Sequence, residues 1–427
     1  MKATKITLSN FRGAESVSLD LDERLNVFCG INGAGKSTVL DAVAIMLSWV
    51  TARIRSPHAQ GRAISELDIT NGKSHSSIEL LCIKNDNTDE IIEWQIVKSR
   101  QGRHGSQTKH TNLNNLNQFA KNIQIEIDKN HEKVNLPLFV YYPVNRAVLD
   151  IPLRIKKRHK FNLLSAYEES LTSGANFRSF FEWFREREDY EIRQSGEYHQ
   201  IGLFPDLQLQ AVRQALKGCL PEFNNLRVQI RPLSMVVNKN DKTTLRVDQL
   251  SDGEKCLISM IGDLARRIAI ANPARENPLE GEGIVLIDEI DLHLHPLWQR
   301  MIVPNLLEVF PNLQFIISTH SPSVLTNVKP QNLYILSLQP LTDNIIAKKP
   351  NESYGKTADR ILEDLMGLTT TRPDIISTEL HEIYQKIEEK EYEKAKSMIA
   401  AMKDKIGNDS ELVKAGVLIS RKEMIGK

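Results

Sequence analysis

Apolar and polar positions change their period once within the first 50 residues. KATKITL (2–8) and RLNVFC (24–29) are short runs of strand length, and the second leads directly into a glycine-rich turn, Gly30 to Gly35. From Ser37 to Thr51 the period becomes helical, with Val39, Leu40, Val43, Ala44, Met46 and Leu47 recurring at helical spacing. Two apolar runs within 77–97, SIELLCI and IIEWQIV, flank the turn-forming KNDNTDE and predict a β-hairpin. Residues 98–118 are polar and rich in Gly, His, Asn and Thr, which predicts a loop.

LPLFVYY (136–142) reads as a buried strand stopped by Pro143. From about 150 to 225 the pattern is helical and charged, with aromatics in FRSFFEWFRERE; strand periods return at NLRVQI, LSMVV and TLRVDQL. A helix from Gly253 to Ala271, a strand from Gly283 to Ile287, a helix from Pro296 to Phe310 and a strand from Gln314 to Ser318 follow in alternation. The tail, 354–427, reads as almost wholly helical. No internal repeat and no sustained heptad pattern is present.

A length of 427 residues has room for two or three domain-sized units. With 55 basic and 54 acidic residues, the chain as a whole is no polycation for nucleic acid, although local basic patches remain open. The longest apolar runs, such as Gly283 to Ile287, are only strand length, so no membrane-crossing helix is expected. The start, MKATKITLSNFRG, lacks the apolar stretch of a signal peptide. Cys29, Cys82, Cys219 and Cys256 are scattered without a CxxC pair. That argues against zinc and disulfides, and fits the reducing cytoplasm.

Gly30-Ile31-Asn32-Gly33-Ala34-Gly35-Lys36-Ser37 matches GxxxxGK[ST] at every required position, between a strand and a helix. In that pattern the backbone N–H groups of Asn32, Gly33, Ala34, Gly35, Lys36, Ser37 and Thr38 wrap phosphates, and Lys36 reaches the β- and γ-phosphates of ATP. The Ser37 hydroxyl ligates Mg²⁺. The strand Ile284 to Ile287 ends in two acids: Asp288, a candidate Mg²⁺ ligand, and Glu289, a candidate general base. Leu250-Ser251-Asp252-Gly253-Glu254 opens a helix. Ser251 and the N–H groups at Gly253 can bind a γ-phosphate, and a second phosphate-binding helix start points to a nucleotide shared between two protomers. The plainer reading is a capping box made by Ser251 and Glu254. In STHSP, His320 stands at a strand end where it can reach the γ-phosphate. His293 and His295 have no third ligand nearby, so structural or interface roles are expected for them.

These motifs, in this order, resemble the ABC-type ATPases of the SMC, Rad50 and RecF branch. GINGAGKST matches Walker A, LSDGE the signature, IVLIDE Walker B and STHSP the switch histidine. LSNFRG (8–13) resembles the opening of that branch and implies a nucleotide contact for Arg12. DEIDLHLHP is similar to the AAA-labelled ATPases that include the OLD proteins, and Asp291 takes the place of the acid on a loop crossing the dimer. YYPVNRAVLDIPLR, FRSFFEWFRERE and SELVKAGVLISRKEMIGK resemble the ATPase subunit PtuA of Septu-type antiphage systems, similar to ATPases that accompany some retrons. The likeness covers nearly the full chain. It implies an α/β fold, an ABC/SMC-type split core with a mixed β-sheet, a helical insertion and a helical C-terminal extension.

The expected divisions are 1–150 (core lobe with Walker A), 151–240 (helical insertion), 241–347 (core lobe with signature, Walker B and His320) and 348–427 (helical, partner-binding). The implied activity is ATP hydrolysis with Mg²⁺ by a homodimer that controls an HNH-type nuclease. The alternative is a RecF- or Rad50-like repair ATPase acting directly on DNA. The family's Q-loop glutamine has no clear counterpart; Asn145 stands in about that place as a metal ligand, with Gln95 as a second candidate. Lys36 and Ser251 are only about 215 residues apart, too few for a long coiled-coil arm. No acidic cluster of TOPRIM type and no HNH-type cluster predicts a nuclease site in this chain.

IPLRIKKRHK (151–160), with Arg53, Arg55, Arg62, Lys98, Arg100, Arg103 and Lys109, could form a surface for DNA or a retron RNA–DNA; solvated loops are the other reading. In the tail, Ile376, Leu380, Ile383 and Ile387 mark one amphipathic helix and Ala395, Met398, Met402 and Ile406 a second. Together they predict a helical hairpin that buries its apolar faces on the body or on a partner.

Overall fold

Strands with alternating burial and strands apolar on both faces separate the chain into different sheets. The structure, a computed structural model, describes residues 1–84, 90–100, 110–130, 133–144, 162–172, 177–197, 205–240, 243–339 and 344–425. Two units appear, Met1–Ala358 and Asp359–Lys427.

In the first unit, β1 (Lys2–Phe11), β2 (Ala14–Asp20), β4 (His75–Lys84) and β5 (Glu90–Ser99) form an antiparallel sheet in the order β2-β1-β4-β5. The expected hairpin is present, with Ser77 opposite Val97. The second sheet is built from β3 (Leu25–Gly30), β6 (Leu138–Tyr142), β10 (Gly283–Ile287), β11 (Leu313–Ser318), β12 (Leu333–Leu338) and β13 (Ile345–Lys348). Its order is β13-β12-β3-β11-β10-β6, parallel except for the edge strand β13. Every residue of β6, β10 and β11 is buried, as expected of parallel strands covered on both faces. A third, small sheet joins β7 (Phe223–Ile230), β8 (Leu233–Lys239) and β9 (Thr243–Arg246).

Helices α1 (Lys36–Arg55) and α5 (Asp252–Ala271) are the buried ones. By length and composition α1 could cross a bilayer, contrary to the expectation from apolar run length; two thirds of its most apolar stretch is buried in the protein, as in a core helix. In α5 every residue except Asp252 and Lys255 is buried, including Asp263, Arg266 and Arg267. Around these lie α2 (Asn114–Asn130), α3 (Phe177–Glu197), α4 (Leu207–Cys219), α6 (Pro296–Val309) and the short α7 (Pro322–Leu325).

Several expectations need correcting. The loop expected over 98–118 gives way to α2 from Asn114, because Leu116, Phe119, Ala120 and Ile123 form a buried stripe that the surrounding amides obscure. Strands β2, β12 and β13 are present where the sequence pattern predicts no element. The described part of 151–240 contains α3 and α4, with β7 and β8 where NLRVQI and LSMVV are expected to be strands.

The second unit holds three long helices, not a hairpin: α9 (Asp374–Glu388), α10 (Tyr392–Ile406) and α11 (Ser410–Ile425), preceded by α8 (Ala358–Asp364), which begins at the boundary. Leu380, Ile383, Ile387, Ala395 and Met402 pack with Leu412, Ala415 and Ile419. The apolar faces of the two expected helices are thus buried on each other and on α11.

Candidate active site

The glycine-rich turn carries the chain from β3 into α1 with little room for side chains. Gly35, at the helix N-cap, has φ 96°, and a Cβ there would lie 2.2 Å from Ile345 Cδ1. At Gly30 a Cβ would lie 2.2 Å from the Leu336 carbonyl oxygen of β12. No side chain caps α1, and its first turn has no acid, so its N–H groups are open to an anion. Asn32, Gly33 and Ser37 are exposed, Thr38 is half-buried and Ala34 is buried. Lys36 is buried and folds over the loop, its Nζ donating to Gly30 O at 2.9 Å and Ile31 O at 3.0 Å. Burial pushes the Lys36 pKa down, while the nearby carboxylates of Asp288, Glu289 and Asp291 act against that shift. One ammonium and three carboxylates therefore share this end of the sheet.

The acids are positioned by the ends of β10 and β11. The Ser318 hydroxyl donates to the Asp288 carboxylate, and the Glu289 backbone N–H donates to Ser318 Oγ at 2.8 Å. Glu289 adopts φ 47°, the left-handed region, so the chain turns sharply after Asp288. Asp291 Oδ1 accepts from Thr319 Oγ1 at 2.6 Å and from the His320 backbone N–H at 3.3 Å. Thr319 N donates in turn to Phe28 O of β3 at 3.1 Å. The Walker B loop, the His320 segment and the strand feeding the phosphate loop are thus bonded in series. Among the described residues the His320 ring takes no hydrogen bond.

Arg12 is already engaged. Its Nε donates to Asp68 Oδ1 at 2.9 Å and an Nη to Asp41 Oδ2 at 2.5 Å, and the guanidinium lies 5.0 Å from the Phe11 ring centroid. Burial alone would lower its pKa; the bonds to Asp68 and Asp41 outweigh that and raise it. Arg62 donates to the other oxygen of Asp41 at 2.7 Å. Tyr141, at the end of β6, has its pKa raised by burial first, then by Asp288 and Asp41, with Arg62 and Arg12 opposing. Tyr141 thus lies within the field of both Asp288 and the Arg12 cluster.

At the signature motif the capping box is real. Ser251 N donates to Glu254 Oε2 at 2.7 Å, the Ser251 hydroxyl to the same oxygen at 2.8 Å, and Glu254 also pairs with Lys239. Ser251 remains exposed while Gly253 is buried. A Cβ on Gly253 would lie 2.3 Å from the His293 carbonyl oxygen. The signature thus rests on the loop that carries Asp291, within one chain. His293 has φ 62°, and His295 caps α6, its Nδ1 accepting from Leu297 N at 3.3 Å.

Asn145, Arg103, Lys109 and 151–160 lie outside the described residues. Gln95 Cα is paired with Glu79 inside the antiparallel sheet. Of the basic candidates, Arg62 is spent on Asp41 and Arg100 donates to Ile69 O at 3.2 Å. Sequence reasoning gave no role to Asp41, Tyr141 or Ser318. An acid placed four residues after Ser37 in a largely apolar helix was the available signal for Asp41.

Residues 25–326 match the family described as "AAA domain, putative AbiEii toxin, Type IV TA system". The chain is 30% identical to the "Retron Ec83 probable ATPase" of Escherichia coli, over 96% of this chain and 85% of that one. It is 23% identical to the "Septu protein PtuA" of Bacillus thuringiensis, over 91% and 90%. A solved SMC head bound to the C-winged helix domain of ScpA aligns over 82% of this chain and 98% of that one, with 14% identity and a TM-score of 0.48.

Proposed function

Because this chain belongs to the AAA-domain family matched over residues 25–326, we propose that it hydrolyses ATP between two head-to-tail copies of itself and thereby controls a separate HNH-type nuclease in antiphage defence. The observation that carries the catalytic part is the gathering of Lys36, Asp288, Glu289 and Asp291 beside an uncapped helix N-terminus. The names of the retron and Septu relatives support the defence setting.

In this reading the N–H groups of residues 32–38 and the Lys36 ammonium hold the phosphates. Lys36 exchanges the carbonyls of Gly30 and Ile31 for phosphate oxygens. Arg12, fixed by Asp41 and Asp68, flanks the nucleotide. The residues fit Mg²⁺: Ser37 is exposed at the helix start, and the buried Asp288 carboxylate has a hydroxyl donor to orient it. Ser37, Asp288 and Asn145 would hold the ion, which when bound neutralises charge on the phosphate oxygens. Glu289 takes the proton of the attacking water, and His320 donates to the terminal phosphate. Ser251 and Gly253 of the second copy close the site, and Asp291 links that closure to His320. Nucleic acid, whether DNA or a retron RNA–DNA, meets residues 151–160 rather than Arg62, which is spent on Asp41. The buried thiols suit a cytoplasmic protein.

The test is purification of the tagged chain and its Glu289→Gln variant from the native operon, with ATP, followed by mass spectrometry and nucleic-acid extraction. A trapped dimer carrying a stoichiometric HNH-type protein is expected. A chain that stays monomeric with ATP overturns the two-copy site. A trapped dimer that binds DNA tightly and carries no nuclease replaces the defence role with RecF-like repair.

A further inference from the structure

Tyr142 ends β6 and makes two bonds in different directions. Its carbonyl accepts from the Asp288 backbone N–H at 2.9 Å, directly beside the proposed metal and water site. Its hydroxyl donates to Asp263 Oδ2 at 3.0 Å, on α5. Tyr142 and Asp263 are both fully buried. The N-cap of α5 is Ser251, roughly 18 Å from Asp263 along the axis at about 1.5 Å per residue. One side chain thus ties the strand that presents Asp288 to the helix that presents the signature.

Asp263 is itself held from three sides. Besides Tyr142, it accepts from Arg266 Nη2 at 2.6 Å and Arg267 Nε at 2.7 Å. Arg267 continues to the carbonyls of Ala166 and Glu168 at 2.9 and 2.8 Å, and Tyr141 N donates to Ser170 O at 2.7 Å. The turn 163–170 is therefore stapled to both β6 and α5. Replacing buried charges of this kind by apolar side chains of similar volume is often neutral or stabilising, so stability is a weak account of them. What the charges add is a fixed register between a strand and a helix.

We infer that Tyr142 is a positioning residue that couples closure of the signature onto a second copy to the placement of Asp288 and Glu289. The inference rests on the two-copy reading above. When Ser251 is engaged from across the interface, any shift of α5 along its axis reaches Asp263. It passes through the Tyr142 ring to the backbone of Asp288, and Glu289 follows because it is the next residue.

The experiment uses the full chain with Tyr142→Phe, with Tyr167→Phe as its control. Tyr167 is also buried and donates to Pro137 O at 2.6 Å, just before β6; α5 holds its turn through the carbonyls of Ala166 and Glu168, so losing this hydroxyl leaves the Tyr142–Asp263 bond intact. Both variants lose one buried phenol hydrogen bond, and melting temperatures should fall by similar amounts. ATP affinity and ATP-driven dimerisation should stay at wild-type level in both. Only Tyr142→Phe should lose turnover, by about tenfold for one buried bond that matters at the transition state. Hydrogen exchange gives the second readout: ATP should protect both the start of α5 and residues 288–290 in wild type, and only the start of α5 in Tyr142→Phe. Equal turnover losses in the two variants would reduce Tyr142 to a packing residue. If Ser251→Arg leaves turnover unchanged, the two-copy reading itself falls. If Ser251→Arg abolishes turnover while Tyr142→Phe matches wild type, only the coupling falls.

Discussion

The backbone N–H of Glu289 rests on the hydroxyl of Ser318 at 2.8 Å, and that same hydroxyl donates to Asp288. A strand-end serine therefore orients both acids of the neighbouring strand, one through its backbone and one through its carboxylate. The left-handed turn at Glu289 depends on this support, since a non-glycine residue at φ 47° is conformationally costly.

Ser318→Ala should consequently lower turnover by about tenfold or more while changing ATP affinity less than about twofold, because the proposed function assigns binding to the glycine-rich loop. Steady-state hydrolysis beside a fluorescent-nucleotide titration measures both. Unchanged turnover would remove Ser318 from the site's support.

Gly253→Ala places a methyl group 2.3 Å from the His293 carbonyl, which is backbone and can yield only if the loop 291–295 moves. Turnover and melting temperature should both fall. Nucleotide binding at Lys36, measured with the monomer at low concentration, should persist. A variant with wild-type hydrolysis would show that the loop moves freely.

Lys2 supplies a pH dependence. Burial first, and Arg24 second, lower its pKa to about 8, against the carboxylates of Glu282, Glu23 and Asp22. The unfolded chain keeps its proton up to the ordinary lysine value of 10.5, so between about pH 8 and 10 it holds more protons than the folded chain. Stability contributed by this group therefore rises with pH across that window. Wild type should gain on the order of 1–2 kcal/mol on Lys2→Met from pH 8 to 10. Urea unfolding at both pH values reads the difference; parallel profiles would contradict the burial of this ammonium.

In the C-terminal unit, Ile387 is fully buried among Leu380, Ile383 and Ala395. Ile387→Ala should cost that unit about 2–4 kcal/mol. Hydrogen exchange should show faster opening across 374–425 with no change in ATP turnover of the isolated chain. Loss of turnover would tie this unit to catalysis.

Much of the local geometry of the glycine-rich turn and of β10 could be read in advance because local chemistry dictates it. A phosphate loop needs glycines at set spacings, and a buried parallel strand such as Gly283 to Ile287 is apolar throughout. Partners that reach the site from other elements were not legible. Asp41 looks like one polar residue on a core helix until Arg12 and Arg62 close on it from distant segments. Tyr142 reads as another apolar strand position, since nothing local marks its hydroxyl as bound to Asp263. Strands β12 and β13 escaped notice because LYILSL and IIAK are too short to separate from loop by period alone. Helix α2 was hidden by its asparagines, whose weak helical preference the buried stripe overrides.

Strand β3 lies between β12 and β11, both encoded near the far end of the first unit, and Asn332 Nδ2 donates to Leu25 O across 307 positions. During synthesis, then, the Walker A segment leaves the ribosome early and waits for its neighbours, roughly 15–60 s at about 5–20 residues per second. Until β11 and β12 emerge, the phosphate loop has no sheet to fix its backbone. A nascent chain arrested before β11 should carry every residue of the motif and retain no ATP. Premature termination products would therefore be inert instead of competing for nucleotide, a safeguard that follows from the order in which the strands are translated.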